Sequence, residues 1–104
     1  MPAKPARPSP ASLTSGRFPW DLPDLGAPPE RDAAAQQAAV ARWVVEQMTR
    51  QGISQRELER TGVASQSAIS GLLTGRTWTD MWVVARVVGH LGGHLRVWVP
   101  NQDR

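Results

Sequence analysis

No cysteine occurs among the 104 residues. Disulfide staples and thiolate metal sites are therefore excluded, and a reducing compartment is the matching environment. Lysine is almost absent too: one of the twelve cationic residues is Lys4, and the other eleven are arginines. No apolar run is long enough to span a bilayer, because Arg86 and Arg96 break the longest stretches. The opening MPAKPARPSP has no apolar centre, so no secretory signal is expected. The expected location is the cytoplasm, at the nucleoid, without a membrane partner. The sequence offers no catalytic triad, glycine-rich phosphate loop or pair of acids in an apolar setting, so no enzyme is expected. His90 and His94 stand four apart, a spacing that suits a shared metal on a helix. Gly92 and Gly93 interrupt that helix and no third ligand is evident, so neither metal nor cofactor is expected.

What is present is a short, basic chain. Its formal charge is +3 and its pI about 11.0. Arginine makes forked contacts to phosphate and guanine, so the balance suits a nucleic-acid partner. A GC-rich genome explains the same arginine bias, so charge alone decides nothing. The length suggests one domain, with a folded part of roughly 70 residues that is marginal alone and has little room for a deep cleft.

The chain divides at residue 30. Residues 1–29 hold eight of the nine prolines and few apolar side chains, which reads as a mostly disordered arm. Within it, Phe18-Pro19-Trp20-Asp21-Leu22-Pro23-Asp24-Leu25 concentrates apolar residues. This segment either folds back onto the domain or docks a partner protein.

Residues 30–93 carry helical signals throughout. Pro28-Pro29-Glu30-Arg31-Asp32 opens a helix with proline and acids in its first turn. Val40, Val44 and Met48 give it an apolar face, and Gly52 ends it near residue 51. Ser54 and Glu57 form a capping box for a short helix over Gln55–Thr61, closed by Gly62. Ser65 caps a helix over Gln66–Leu73 that buries Ile69 and Leu72, closed by Gly75. Asp80 caps a fourth helix, whose face is Met81, Val84, Val87, Val88 and Leu91. Trp43, Trp78 and Trp82 are expected to pack, each lying in or beside an amphipathic element. The tail, residues 94–104, alternates with period two over Leu95, Val97 and Val99, with His94, Arg96 and Trp98 opposite, and reads as a short strand.

Two short helices joined by a glycine-containing turn, the second one capped, are the parts of a helix-turn-helix. The run Gln55-Arg56-Glu57-Leu58, Gly62-Val63, Ser65-Gln66-Ser67-Ala68-Ile69-Ser70 and Gly75 resembles the Cro and lambda-repressor helix-turn-helix family, the XRE type. Trp78-Thr79-Asp80-Met81 and the helix through Leu91-Gly92 resemble that family's closing helix. The resemblance covers roughly residues 33–93. It implies an all-α bundle of four to five helices, here with a short C-terminal strand and an N-terminal arm. It implies that Gln55 clamps a phosphate, that Gln66 and Ser67 read bases, and that Ser70 lies on the same face. Arg56, Thr74, Arg76 and Thr77 become candidate phosphate contacts, and Ser65 a cap that also touches DNA. The sequence departs from the family at Glu59, where a small residue is usual, and at Val63, where the turn glycine usually stands. The turn is therefore either shifted by one residue or rebuilt. Gly71 replaces a long or basic residue, which suggests a closer approach to the ligand.

A lone strand leaves its backbone groups unpaired. Its mate is either the same strand of a second copy or the chain's own arm. The first gives a homodimer joined through Leu95, Val97, Trp98 and Val99, with two recognition helices facing a palindromic site on double-stranded DNA. The expected function is a transcriptional regulator that represses by occupying an operator. The alternative is an antitoxin-like or adaptor protein that grips a partner with its arm and uses DNA binding to regulate itself.

Overall fold

Local signals set the helix boundaries. Acids at Glu30 and Asp32 stand in the first turn of α1 (Pro29–Gln51), where they complement the helix dipole. Gly52 follows at φ 67°, and the amide of Ile53 closes the helix by donating to the Met48 carbonyl at 2.9 Å. Ser54 then starts α2 (Gln55–Arg60). Its hydroxyl accepts from the Glu57 amide and the Glu57 carboxylate accepts from the Ser54 amide, both at 3.1 Å. Ser65 starts α3 (Gln66–Thr74) by accepting from the Ala68 amide, and Asp80 starts α4 (Met81–His90) by accepting from the Val83 amide. The second and third helices end within one or two residues of their sequence-based limits.

The structure is a computed structural model that describes residues 8–13, 17–21 and 29–96. The chain is all-α over these residues: four α-helices and a 3-10 turn at Ala11–Leu13. The core gathers Val44 and Met48 from α1, Leu58 from α2, Ile69 and Leu72 from α3, and Val87 and Leu91 from α4 and its end. Ala34, Ala38 and Ala41 are fully buried along α1. Their small side chains let the neighbouring backbone come close, and α1 packs more extensively on α3 than on α4. Trp43 packs against this core and over Gly93, where a Cβ would overlap its ring.

Buried among these alanines is one polar residue, Gln37. Its amide nitrogen donates to the Thr77 carbonyl at 3.0 Å, and its oxygen accepts from the Thr79 amide at 3.1 Å. The side chain thereby ties the α3–α4 connection to α1. A buried amide needs such partners, and here it uses them to fix residues 75–80.

Three expectations need correcting. Residues 8–13 and 17–21 of the arm, expected to be mostly disordered, lie on the domain; for Phe18 and Pro19 this is the fold-back alternative. The Ala11 amide donates to the Gly75 carbonyl at 2.9 Å, the Trp78 indole donates to the Pro8 carbonyl at 2.7 Å, and Arg42 donates to the Pro19 carbonyl at 2.6 Å. Proline removes donors and leaves the carbonyl available, so a proline-rich segment still docks through its acceptors. The rest of the arm, including Leu22–Leu25, lies outside the described residues. Met81 and Trp82, expected to pack, are 61% and 72% exposed. Met81 starts the stripe of Val84 and Val88 but stands at the open mouth of the helix, whereas Trp82 lies across the helix from Val84 and Val87, with its ring under the Arg86 guanidinium, 5.6 Å from centroid to carbon. Gly71 does not open space for a ligand. It is buried, and a Cβ there would overlap the Thr77 hydroxyl.

His94–Arg96 carry no regular secondary structure. The expected strand otherwise falls on Val97, Trp98 and Val99, outside the described residues. No helix of the described residues is long and apolar enough to cross a membrane.

Candidate nucleic-acid interface

The segment between α2 and α3 runs from Thr61 to Ser65. The amide of Gly62 donates to the Glu59 carbonyl, and Gly62 takes φ 77°. That left-handed turn is open to glycine at little cost. Its position settles the departure seen at Val63: Gly62 itself makes the turn, and Val63-Ala64 extend it. Val63 and Ala64 are half-buried against the core, and the Arg86 Nε donates to the Val63 carbonyl at 2.7 Å. Arg86 thus fastens α4 to the turn, a role that its place on the polar side of an amphipathic helix did not reveal.

With Ile69 and Leu72 anchored in the core, α3 turns Gln66, Ser67 and Thr74 to solvent, with Ser70 half-exposed among them. Positions 66, 67, 70 and 74 form one stripe at helical spacing. Ser65, just before them, is exposed but committed as a cap, and its hydroxyl also stands 3.5 Å from that of Ser67. Gln66 makes no hydrogen bond within the described residues, so its amide is available at the start of the helix. The N-terminal amides of α3 face the same end, where a helix favours anions.

The flanking residues differ more from expectation. Gln55, expected to clamp a phosphate, donates its amide to the Glu59 carboxylate at 3.0 Å. One N–H of that amide stays free, but an acid now stands beside it. Arg56 is exposed on α2 with no hydrogen bond or ion pair among the described residues. Thr77 has an exposed position, but its hydroxyl packs towards Gly71 and its carbonyl is held by Gln37. Arg76 does not reach outwards from its loop. Its Nε donates to the Thr74 hydroxyl at 3.2 Å and its Nη2 to the Ser70 hydroxyl at 2.8 Å. The guanidinium is folded back over the last turns of α3.

Gln37 and Arg86 are the positioning residues that sequence reasoning missed. For Gln37 a signal existed: it lies three residues after Ala34 and one before Ala38, on the buried alanine face. The glutamate of the capping box, Glu57, has its pKa lowered by hydrogen bonds from the Ser54 backbone and then from the Ser54 side chain, with Arg60 adding to the effect.

Of the expected dimer residues only Leu95 is described. It is 37% exposed and, with Val40, Trp78, Met81 and Val84, lines an open cleft of about 680 Å³ between α1 and the start of α4. No family model matches this chain, and no curated protein or solved structure matches it either.

Proposed function

We propose that this chain is a sequence-specific double-stranded DNA-binding protein of the helix-turn-helix type, related to the Cro and lambda-repressor family, and that it acts as a transcriptional repressor. In this reading α2 crosses the phosphate backbone and α3 enters the major groove with Gln66 and Ser67 at the base edges. The observation that carries the reading is the stripe on α3. A short helix anchored by Ile69 and Leu72 holds an unengaged glutamine at its N-terminus and an arginine on the same face.

The protein works as a homodimer on a palindromic operator, joined through the segment from Leu95 to Val99. A small domain with one recognition helix gains affinity and specificity by pairing two half-sites. Selection from a random duplex library at moderate salt tests the function. A palindromic motif with half-sites about 34 Å apart is the expected result. Retention without a motif, or no retention, would show that α2 and α3 do not read DNA sequence.

The second reading is an antitoxin-like or adaptor protein whose arm grips a partner. It keeps one feature in its favour, the 48% exposure of Trp20. Its neighbours Phe18 and Pro19 are already engaged, Phe18 over Gly75 and Pro19 with Arg42, so a partner would meet little more than this one ring. Repression through DNA remains the better supported function.

A further inference from the structure

Arg76 was expected to be a phosphate contact from a loop, and its geometry is that of a different part. A guanidinium has five N–H donors in a planar fork. Two of them, on the edge formed by Nε and Nη2, are taken by the hydroxyls of Thr74 and Ser70 at 3.2 and 2.8 Å. The Thr74 hydroxyl is itself fixed. It donates to the Ser70 carbonyl at 2.8 Å and also accepts from the Arg76 amide at 3.3 Å. Two successive turns of α3 thus hold the group from below. The opposite edge, between Nη1 and Nη2, has no partner among the described residues, and no carboxylate there pairs with the charge.

That free edge presents two parallel donors. Such an edge matches the O6 and N7 acceptors of guanine in the major groove. It matches a phosphate equally well in chemistry, so position decides. The guanidinium lies over Ser70, four residues after Gln66 on the same stripe. Four residues of helix advance about 6 Å, roughly two base-pair steps along the duplex. A side chain kept on the groove-facing stripe meets base edges, whereas one that extended from the Gly75 loop would meet the backbone.

We infer that Arg76 is a specificity-determining residue that reads a guanine roughly two base pairs from the base read by Gln66, and that Ser70 and Thr74 are positioning residues that aim its fork. This rests on the reading of α3 as the groove helix. It also gives the two hydroxyls a function other than direct contact with DNA.

The test is duplex-library selection with the full chain and with Arg76→Ala, Arg76→Lys, Ser70→Ala and Ser70→Thr, each checked for an unchanged helical spectrum. The unmodified chain should select a half-site with one G·C pair that Arg76→Ala no longer requires, the other positions staying as they were. On the selected site, Arg76→Ala should lose roughly tenfold to a hundredfold in affinity. Arg76→Lys keeps the charge but not the fork, so it should lose the guanine preference while keeping the salt dependence. Ser70→Ala should relax that same position only, and Ser70→Thr, which restores a hydroxyl, should recover it. A phosphate role predicts otherwise: Arg76→Ala would weaken all sequences alike, lower the salt slope by about one unit and leave the motif intact. That result overturns the inference. If the unmodified chain selects no motif, the groove-helix reading fails and this inference falls with it, an outcome distinct from a motif that ignores Arg76.

Discussion

Gln66 stands at the start of α3 with its amide unengaged, and the consequence can be measured. An Asn or Gln side chain pairs bidentately with adenine N6 and N7. Gln66→Ala should therefore cost roughly 1–3 kcal/mol on the selected operator and relax a single base position. Titration of labelled duplexes that differ at each position checks this, and unchanged affinity and preference would remove α3 from the groove. The neighbouring caps behave differently, because they act on folding. The Glu57 carboxylate is held below its ordinary range by the Ser54 amide and hydroxyl. Its folded pKa lies below its unfolded one, so its contribution to stability is present above the unfolded pKa. That contribution is lost as pH falls through the folded value. Glu57→Gln should flatten the acid side of the stability profile, read by thermal melts from neutral to acidic pH. Ser54→Ala removes the partner hydroxyl and should lower stability by about 1 kcal/mol.

The helices are where the sequence was most legible. A cap is a contact between residues three apart, so Ser54, Glu57, Ser65 and Asp80 announce their helices without knowledge of the fold. Gly52, Gly62 and Gly75 announce the ends, because a left-handed φ is costly for any residue with a Cβ. For the arm, the apolar run from Phe18 announced one of two outcomes, and the structure takes the fold-back; where the arm docks was not legible, for the opposite reason. It docks through the carbonyls of Pro8 and Pro19 and the amide of Ala11, groups that every sequence has, and its partners are up to 70 residues away. Trp82 was misjudged against the periodicity itself: two residues before Val84 and five before Val87, it falls across the helix from the apolar face. The docking itself can be isolated with two glycines. Gly52 and Gly75 both take φ near 70°, but a Cβ at Gly52 meets nothing within 4 Å, whereas one at Gly75 would lie 2.8 Å from the Phe18 ring. Gly52→Ala should cost about 1 kcal/mol of backbone strain. Gly75→Ala should cost that and more, because it also displaces Phe18. In a chain that lacks residues 1–29 the two substitutions should cost the same. Denaturant unfolding of the four proteins measures the difference, and an equal cost in the full chain would mean that Phe18 contributes nothing to the fold.

At the scale of the whole molecule, the proposed homodimer needs a surface that joins two copies. The domain exposes Met81, Trp82 and Leu95 on or near α4, and the cleft between α1 and the start of α4 is lined by Val40, Trp78, Leu95 and Arg96. Met81 and Leu95 line that one cleft, and exposed apolar side chains that stand together form an interaction surface more often than scattered ones do. The candidate DNA stripe is held elsewhere, on α3, by Ile69 and Leu72, so loss of the tail should leave it standing. Removal of residues 94–104 should convert a dimer to a monomer while the far-ultraviolet spectrum stays helical. The core residues Val44, Leu58, Ile69, Leu72 and Val87 all precede the cut. DNA binding should then weaken far more at a palindrome than at an isolated half-site, because only the palindrome benefits from the covalent-like linkage of two reading heads. Sedimentation of the full and shortened chains decides the first point. A mass that does not change on truncation would exclude the tail as the joint and leave the exposed start of α4, with Met81 and Trp82, as the surface to alter next.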